Sequence, residues 1–381
     1  MKAFIITAQG ISATVVDNHP IPAPTSPFEI LVRVSHVGQN PIDWFRLYGG
    51  IPTITMPVGR VIGCDFAGTV VAHPAGSSLW KPGQRVAGFV MDGALDLTRG
   101  AFAEYLVSDA TTVAAVPDNV TDEAAASLGV GFATAMMGLF LRLGLTEPLS
   151  ALEGDEAKAA EAAEGKEQLV VLINCASTSV GLYAVQLARL AGIRVVATAS
   201  PRMHALVREL GADVVLDYAD ADWPAQAARV AGPALRQAFD CVSEVGTARA
   251  TAAALAAAAD VRGGDGAERG HLLCILPRSQ ADLEGSVSQK VRLETTVAFS
   301  VFGRPIQHLT YDNQGGPTPR DREFWERYLR KLTGWLESGE IRPNPVRVFG
   351  GLEDVLDGFR EGIEGKVRGE KLVYRVAPAS V

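Results

Sequence analysis

The first residues that could do chemistry form a short turn between a strand and a helix. The stretch VVLINCASTSVGLYAVQLARLAG (170–192) begins as an apolar strand and continues as a mostly apolar helix. Where a dinucleotide-binding turn usually has three spaced glycines, this turn has Cys175, Thr178 and Gly181. Taken alone, the turn is equally compatible with a strand-to-helix crossover that binds nothing.

Hydroxyl groups could replace the missing glycines as phosphate ligands. The middle of the turn carries Ser177, Thr178 and Ser179, and Val180 separates them from Gly181. Their hydroxyls can donate hydrogen bonds to phosphate oxygens, and a helix N-terminus adds a partial positive charge. Gly181 occupies the third glycine position, which allows the helix to pack closely on its strand.

The end of the next strand favours one cofactor over another. RVVATASPR (194–202) ends about twenty residues after the turn, where NAD-binding units place an acidic residue for the ribose hydroxyls. Ser200 and Arg202 stand there instead. A carboxylate would repel a 2′-phosphate, whereas a hydroxyl and a guanidinium would bind it. These residues predict NADPH rather than NADH; the alternative is that Arg202 is only a solvated residue at a helix start.

The surrounding elements predict an α/β protein of two domains, as the length of 381 residues also suggests. Short β-type runs separated by Pro, Gly, Asp and Asn indicate a partly open β-barrel in the first part. Strands that alternate with helices from residue 169 indicate a doubly wound parallel sheet of the Rossmann type. The late strands PVRVFG (345–350) and KLVYRV (371–376) are expected to rejoin the barrel. The predicted boundaries are 1–125 for the barrel, 126–305 for the nucleotide-binding domain and 306–381 for the return to the barrel.

Three other segments carry local predictions. TDEAAASLGVGFATAMMGLFLRLG (121–144) predicts a helix that begins at a cap-like Thr121. The Ala- and Glu-rich residues 146–168 predict an exposed, partly helical insertion without chemistry. In HVGQNPIDWFRLYGG (36–50), Asn40-Pro41 breaks a strand and Asp43 can cap the backbone.

Composition excludes several classes of protein. The net charge of −8 argues against nucleic acid as the main partner, because phosphate neutralisation needs a basic surface. The four cysteines are far apart without metal-ligand spacing, which predicts no metal site and reduced thiols in the cytoplasm. No segment is apolar enough to span a membrane, the N-terminus lacks a signal-peptide core, and no GxSxG elbow supports a serine hydrolase.

Several motifs, among them NPIDWFRLYGG (40–50) and GCDFAGTVV (63–71), occur in the order seen in the medium-chain dehydrogenase/reductase superfamily. The sequence most resembles its zinc-independent enoyl-reductase and quinone-reductase branch. In zinc alcohol dehydrogenases a Cys stands in place of Asn40 and a His-Glu pair in place of Cys64-Asp65, so no catalytic zinc is expected. The resemblance implies a GroES-like barrel as the catalytic domain. The matching motifs are NPIDWFRLYGG (40–50), GCDFAGTVV (63–71), GAFAEYLV (100–107), the turn ending at Gly181, and RELGADVVLDY (208–218).

Within that branch, three stretches resemble the trans-acting enoyl reductases that serve fungal highly reducing polyketide synthases. They are the hydroxyl-rich turn, TASPR (198–202) and DNQGGPTPRDREFWERYL (312–329). The resemblance implies hydride transfer from NADPH to the β-carbon of an α,β-unsaturated thioester. The resulting enolate needs hydrogen-bond donors at its oxygen and a proton at its α-carbon. It further implies a monomer, with the acyl carrier domain of a polyketide synthase as a transient partner that delivers the substrate.

The same resemblance assigns roles to individual residues. Asn40 and Tyr48 lie in the segment that borders the nicotinamide, and Tyr48 could protonate the enolate or be only a packing aromatic. Asp43 is expected near the cofactor, more as a loop-fixing residue than as an acid. Thr134 is expected against the nicotinamide, with a core hydroxyl as the alternative. The other cofactor contacts implied by position are Tyr218, Ile275, Leu276, Phe302, Gly303, Arg368 and Gly369.

Two alternative functions stay open. With the same fold, the protein could reduce free quinones or alkenals, and it would then turn over a small enone without a carrier. As a scaffold or sensor, it would bind NADPH without oxidising it, which the eroded glycine pattern motivates.

Overall fold

A computed structural model describes most of the chain, which divides into two units. The described residues are 1–8, 12–48, 58–73, 79–91, 99–148, 169–263, 268–303 and 319–376. Unit 1 contains the described residues of 1–131, 301–303 and 322–376, and unit 2 contains those of 132–300 and 319–321. Most of the predicted Ala- and Glu-rich insertion (149–168) lies outside the described residues.

The strands follow the apolar runs of the sequence. In chain order they are β1 (Ala3–Ala8), β2 (Ser12–Val16), β3 (Glu29–Gly38), β4 (Asp65–Ala72), β5 (Arg85–Phe89), β6 (Tyr105–Asp109), β7 (Val113–Ala115), β8 (Val170–Asn174), β9 (Arg194–Ala199), β10 (Val214–Asp217), β11 (Leu235–Asp240), β12 (Gly270–Cys274), β13 (Val291–Thr295), β14 (Val346–Gly351) and β15 (Lys371–Arg375).

The helices connect these strands. In chain order they are α1 (Pro41–Tyr48), α2 (Asp122–Ala125), α3 (Val130–Met136), α4 (Ser179–Leu190), α5 (His204–Leu210), α6 (Trp223–Ala231), α7 (Val245–Arg262), α8 (Val287–Lys290), α9 (Pro319–Ser338) and α10 (Val355–Ile363). A π-helical stretch, Met137–Arg142, continues α3, and a 3₁₀ turn, Pro201–Met203, precedes α5.

Unit 1 is built on a seven-stranded sheet. Its strands follow the order β14-β15-β3-β4-β5-β7, and β6 pairs with β3. Residues with apolar side chains on β3 face the core, including Ile30, Val32 and Val34, which are fully buried. β15 pairs antiparallel with β3, with Tyr374 opposite Val37. Strands β14 and β15 therefore lie in the same sheet as β3.

Unit 2 is built on a six-stranded parallel sheet. The order β10-β9-β8-β11-β12-β13 is that of a Rossmann fold, in which the chain reverses direction across the sheet between β8 and β11. Every residue of β8 and of β12 is buried, as expected of strands covered by helices on both faces. The alternation of strands and helices in the sequence therefore predicted this sheet correctly.

The predicted helix over 121–144 is wrong in one respect, because the chain breaks it into α2, α3 and the π-helical stretch. Thr121 caps α2 as predicted, since its Oγ1 accepts a hydrogen bond from the backbone N–H of Ala124 (3.3 Å). The break follows from Asp65, whose Oδ1 accepts from the backbone N–H of Val130 (2.8 Å). A Cβ on Gly129 would lie 2.3 Å from the same oxygen, so glycine is needed beside it.

Two expected absences can be compared with the described residues. Among them no helix combines the length and the hydropathy that crossing a bilayer requires. The thiols of Cys64, Cys175, Cys241 and Cys274 are free, and all but that of Cys175 are in fully buried residues.

A pair of glycine substitutions tests how tightly unit 1 is packed. A Cβ on Gly38 would lie 2.3 Å from the carbonyl oxygen of Ala126 and 2.7 Å from Lys371 Cε. We expect Gly38→Ala to destabilise the protein by about 1–3 kcal/mol, because a backbone carbonyl cannot move aside cheaply. Gly334 is exposed within α9 with nothing within 4 Å of its Cβ position, so Gly334→Ala should stabilise by about 0.5–1 kcal/mol. Chemical unfolding measures both, and effects of the same sign would contradict this packing.

Candidate active site

The turn that follows β8 is held in place by the neighbouring strand β9. The backbone N–H of Cys175 donates to Thr198 Oγ1 (2.9 Å), and that of Ala176 donates to the carbonyl oxygen of Thr198 (2.8 Å). The Thr198 hydroxyl in turn donates to Asn174 Oδ1. Cys175 has a φ of 58°, a left-handed conformation that glycine adopts without steric cost. The first glycine position of the turn thus keeps its backbone conformation although its residue has changed.

The end of the turn starts helix α4 in a tightly packed arrangement. Thr178 is the N-cap, and its Oγ1 accepts from the backbone N–H of Gly181 (3.1 Å). A Cβ on Gly181 would lie 2.6 Å from the Cα of Ala176. The helix can therefore approach the turn this closely only because Gly181 has no side chain. The Thr178 hydroxyl accepts a bond within the protein, and its proton remains a donor for a ligand.

A buried polar network lies where the sheet order reverses, and the sequence analysis did not identify it. Asp240 ends β11, is fully buried, and lies beside Asn174 at the end of β8 (Asn174 Nδ2 to Asp240 Oδ1, 3.5 Å). Its carboxylate accepts from the backbone N–H of Ser243 (3.0 Å) and from Thr247 Oγ1 (2.7 Å). Burial raises the pKa of Asp240, and these hydrogen bonds oppose that shift. A polar residue at the end of an apolar strand was the signal that could have found it.

Two cysteines border this network without being reactive. Burial, followed by the nearby Asp240, raises the pKa of Cys175 and of Cys274 to about 12. Their thiols therefore stay protonated at neutral pH and are poor nucleophiles.

The other predicted cofactor residues of unit 2 also follow the carboxyl ends of strands. Ser200 follows β9 and is half-buried, and Arg202 is exposed in the next 3₁₀ turn. Tyr218 follows β10 with a 49% exposed side chain. Ile275 and Leu276 follow β12 and are half-buried. Carboxyl ends of parallel strands meet at one edge of the sheet, so the fold brings these residues to the edge where Rossmann folds bind nucleotides.

This edge fits a dinucleotide. The close approach at Gly181, the capped start of α4 and the hydroxyls of Ser177 and Ser179 form a suitable environment for a pyrophosphate. Among the described residues no carboxylate forms an ion pair with Arg202. Its guanidinium can therefore bind an anionic ligand. Thr134, also in unit 2, is 6% exposed within α3.

In unit 1, Asn40 lies in a buried charged cluster. Lys371, the first residue of β15, is 2% exposed, and its Nζ lies 2.7 Å from Asp65 Oδ2 and 2.7 Å from Asn40 Oδ1. Asp43 holds the backbone of the same loop, because its Oδ2 accepts from the N–H of Asn40 (2.7 Å). Two of the positions aligned with zinc ligands in the resemblance, Asn40 and Asp65, are therefore linked here by an ammonium group of the protein itself.

The remaining predicted residues of unit 1 lie in different surroundings. Tyr48 is the last residue of α1 and is 47% exposed. Phe302 is buried against Phe89, with ring centroids 5.1 Å apart, and Gly303 has a φ of 64°. Arg368 is exposed and donates from Nε to the carbonyl oxygen of Gly365 (2.7 Å); Gly369, with a φ of 72°, follows it. Within this unit, Asn40 is the predicted catalytic residue that the fold holds most firmly.

No group of three or more His, Cys, Asp or Glu side chains in the described part of the chain has a geometry that could hold a metal ion. The cluster around Lys371 consists of the lysine ammonium, the carboxylate of Asp65 and the amide of Asn40.

Comparison with known proteins places these features in a family. The model of the alcohol dehydrogenase GroES-like domain matches residues 26–118, and the model of the zinc-binding dehydrogenase family matches residues 179–262. The chain is 32% identical to the trans-enoyl reductase ACTTS2 of Alternaria alternata over 379 residues, covering 98% of each chain. It is 35% identical to the trans-enoyl reductase caaB of Aspergillus niger, covering 97% of this chain and 96% of the relative.

Solved structures show the same fold. An alcohol dehydrogenase superfamily protein from Novosphingobium aromaticivorans matches with a TM-score of 0.70 and 23% identity, over 99% of this chain and all of the other. A mycobacterial protein in complex with NADPH matches with a TM-score of 0.65 and 23% identity, also over 99% and 100%.

The barrel, the Rossmann sheet and these full-length similarities define an oxidoreductase of the alcohol dehydrogenase type. The chain belongs to the trans-enoyl reductase family of the medium-chain dehydrogenase/reductase superfamily.

Two matched substitutions test whether the turn after β8 binds a nucleotide. Each lies in the first turn of a helix that follows a strand of the same sheet. Gly181→Ala should weaken binding of a nicotinamide dinucleotide at least tenfold, because the new Cβ would displace α4 from the turn. Gly246 lies at the start of α7 with nothing within 4 Å of its Cβ position, so Gly246→Ala should leave binding unchanged. Quenching of protein fluorescence by NADPH measures both, and unchanged binding by the Gly181 variant would contradict the assignment.

Proposed function

We propose that this chain is a zinc-independent, NADPH-dependent enoyl reductase that acts in trans on polyketide intermediates bound to a carrier protein. The observation that carries the proposal is the similarity to trans-enoyl reductases over nearly the whole chain. The partner in this proposal is the acyl carrier domain of a polyketide synthase, which presents the α,β-unsaturated thioester to a monomeric reductase.

NADPH, when bound, supplies the hydride that the substrate's β-carbon receives, while the electron pair of the double bond moves through the α-carbon to the thioester oxygen. In unit 2, the hydroxyls of the turn would bind the pyrophosphate, and Ser200 and Arg202 would bind the 2′-phosphate. In unit 1, the amide of Asn40 donates a hydrogen bond to the thioester oxygen as negative charge develops there. Tyr48 holds the proton that the α-carbon receives, and its exposure allows the phenol to be reprotonated from solvent.

The direct test is an assay of the purified protein with NADPH and a series of acceptors. We expect oxidation of NADPH with crotonyl-pantetheine and a higher kcat/KM with the same acyl group on a carrier protein, because the carrier adds binding energy. A simple quinone and a free alkenal serve as comparison acceptors.

Each other outcome of that assay points to a different function. Activity with the quinone or alkenal alone would replace the proposal with a reductase of free small molecules. Binding of NADPH without oxidation by any acceptor would replace it with a scaffold or sensor.

Cofactor preference is tested at the end of β9. Arg202→Ala should raise the Kd for NADPH by about 10- to 100-fold and leave that for NADH nearly unchanged, because only NADPH has the 2′-phosphate that the guanidinium would bind. Arg208→Ala is the matched control, since Arg208 is an exposed arginine on the following helix α5. A wild-type preference for NADH, or equal effects of Arg202→Ala on both cofactors, would overturn the roles given to Ser200 and Arg202.

A further inference from the structure

The side chain of Asn40 is buried beside a group that can only donate hydrogen bonds. Asn40 is 4% exposed, and Lys371 Nζ lies 2.7 Å from its Oδ1. An ammonium has three donors and no acceptor, so the atom of Asn40 that faces it must be the carbonyl oxygen. The two possible orientations of the amide are therefore not equivalent here, and Lys371 selects one of them.

In this orientation the amide nitrogen is the part of the Asn40 side chain that does not bind Lys371. Among the described residues, the hydrogen-bond partner of Asn40 Nδ2 is the carbonyl oxygen of Gly38 at 3.5 Å, which is at the limit of a hydrogen bond. An amide nitrogen carries two donors, so at least one of them is available to a ligand. A ligand that binds beside this amide nitrogen would therefore meet a hydrogen-bond donor and not an acceptor.

Both ends of the Lys371 contact are fixed. Asp65 holds the ammonium from the other side (2.7 Å) and is itself held by the backbone N–H of Val130 (2.8 Å). The backbone N–H of Asn40 is bound to Asp43 Oδ2 (2.7 Å), and that of Gln39 donates to the strand β15 at the carbonyl oxygen of Leu372 (2.9 Å). A hydrogen-bond donor stabilises a developing oxyanion most effectively when the groups around the donor do not need to rearrange.

We propose that Lys371 is a positioning residue that locks the Asn40 amide with its N–H groups toward the substrate, so that Asn40 can stabilise the enolate oxygen during reduction. The inference rests on the proposed function, because the oxyanion is that of an enoyl thioester. Lys371 does not touch the substrate in this proposal, and its whole effect on the rate passes through Asn40. Hydride enters the β-carbon, the electron pair settles on the oxygen bound by Asn40, and a proton then enters the α-carbon.

A double-mutant cycle tests this dependence. We would measure kcat and KM with crotonyl-pantetheine, NADPH binding by fluorescence and the melting temperature of Asn40→Ala, Lys371→Met and the double variant. Asn40→Ala should lower kcat about 100-fold, as the loss of one oxyanion donor does elsewhere, with KM and the NADPH Kd changed less than about threefold. Lys371→Met should lower kcat by a similar factor, and the double variant should be no slower than Asn40→Ala.

Control variants separate positioning from a merely structural effect. Val373→Ala removes buried volume from the same strand and should lower the melting temperature without changing kcat. Lys366→Met removes an exposed lysine paired with Glu364 and should change neither. Lys371→Gln keeps a neutral donor that can present either end of its amide, so its kcat should fall between those of wild type and Lys371→Met.

Several results would overturn the proposal. One is a wild-type kcat in Asn40→Ala. Another is a lower melting temperature with unchanged kcat in Lys371→Met. The third is a double variant whose kcat falls by the product of the two single-variant factors. Asn40→Ala leaves the Lys371–Asp65 ion pair in place, so a wild-type kcat in that variant overturns the proposal even if the Lys371 variants do not fold. Inactivity of the wild type toward every enoyl thioester would instead overturn the proposed function, and the two failures are therefore distinguishable.

Discussion

The ion pair between Lys371 and Asp65 is the interaction on which unit 1 most depends. Both side chains are almost completely buried, and each would cost several kcal/mol in the interior without its partner. The pair joins the start of β15 to the start of β4, and through Val130 it also sets where helix α3 begins. Such a pair is weak evidence of added stability over an apolar core, but removal of one partner typically costs about 3–5 kcal/mol. Strands β15 and β4 must therefore pair with β3 in the register that brings Lys371 and Asp65 together.

Unit 2 also contains a buried carboxyl group, that of Asp240, but its hydrogen-bond partners are close to it in the sequence. Asp240 lies where the sheet order reverses, and it is satisfied by the backbone N–H groups of Val242 and Ser243 and by the hydroxyl of Thr247 rather than by a distant cation. The same region clamps the turn after β8 through Thr198 and Asn174. In this way side chains of the sheet edge hold a turn that in other dinucleotide-binding units is shaped by glycines.

The sequence predicted the parts of the fold that depend on local pattern. Alternating apolar strands and helices predicted the parallel sheet, and the single glycine at Gly181 predicted the close helix packing that the structure contains. The cluster around Lys371 was not predicted, because Lys371 and Asn40 are 331 residues apart and the lysine that begins KLVYRV is typical of an ordinary strand end. The break in the chain before helix α3 was not predicted for the same reason, because it is caused by Asp65, which lies far away in the sequence on strand β4. Long-range polar contacts leave no periodic signal, and only chain folding reveals them.

Transfer of hydride to the β-carbon of an enoyl thioester is the central step proposed for this chain. Its most direct test is the fate of deuterium carried at C4 of NADPH, with each of the two C4 epimers labelled in turn and crotonyl-pantetheine as acceptor. Mass spectrometry and deuterium NMR of the butyryl product should show one deuterium at the β-carbon from one epimer only, and a solvent-derived hydrogen at the α-carbon. A butyryl product without deuterium from either epimer, or no product while a quinone is reduced, would contradict it.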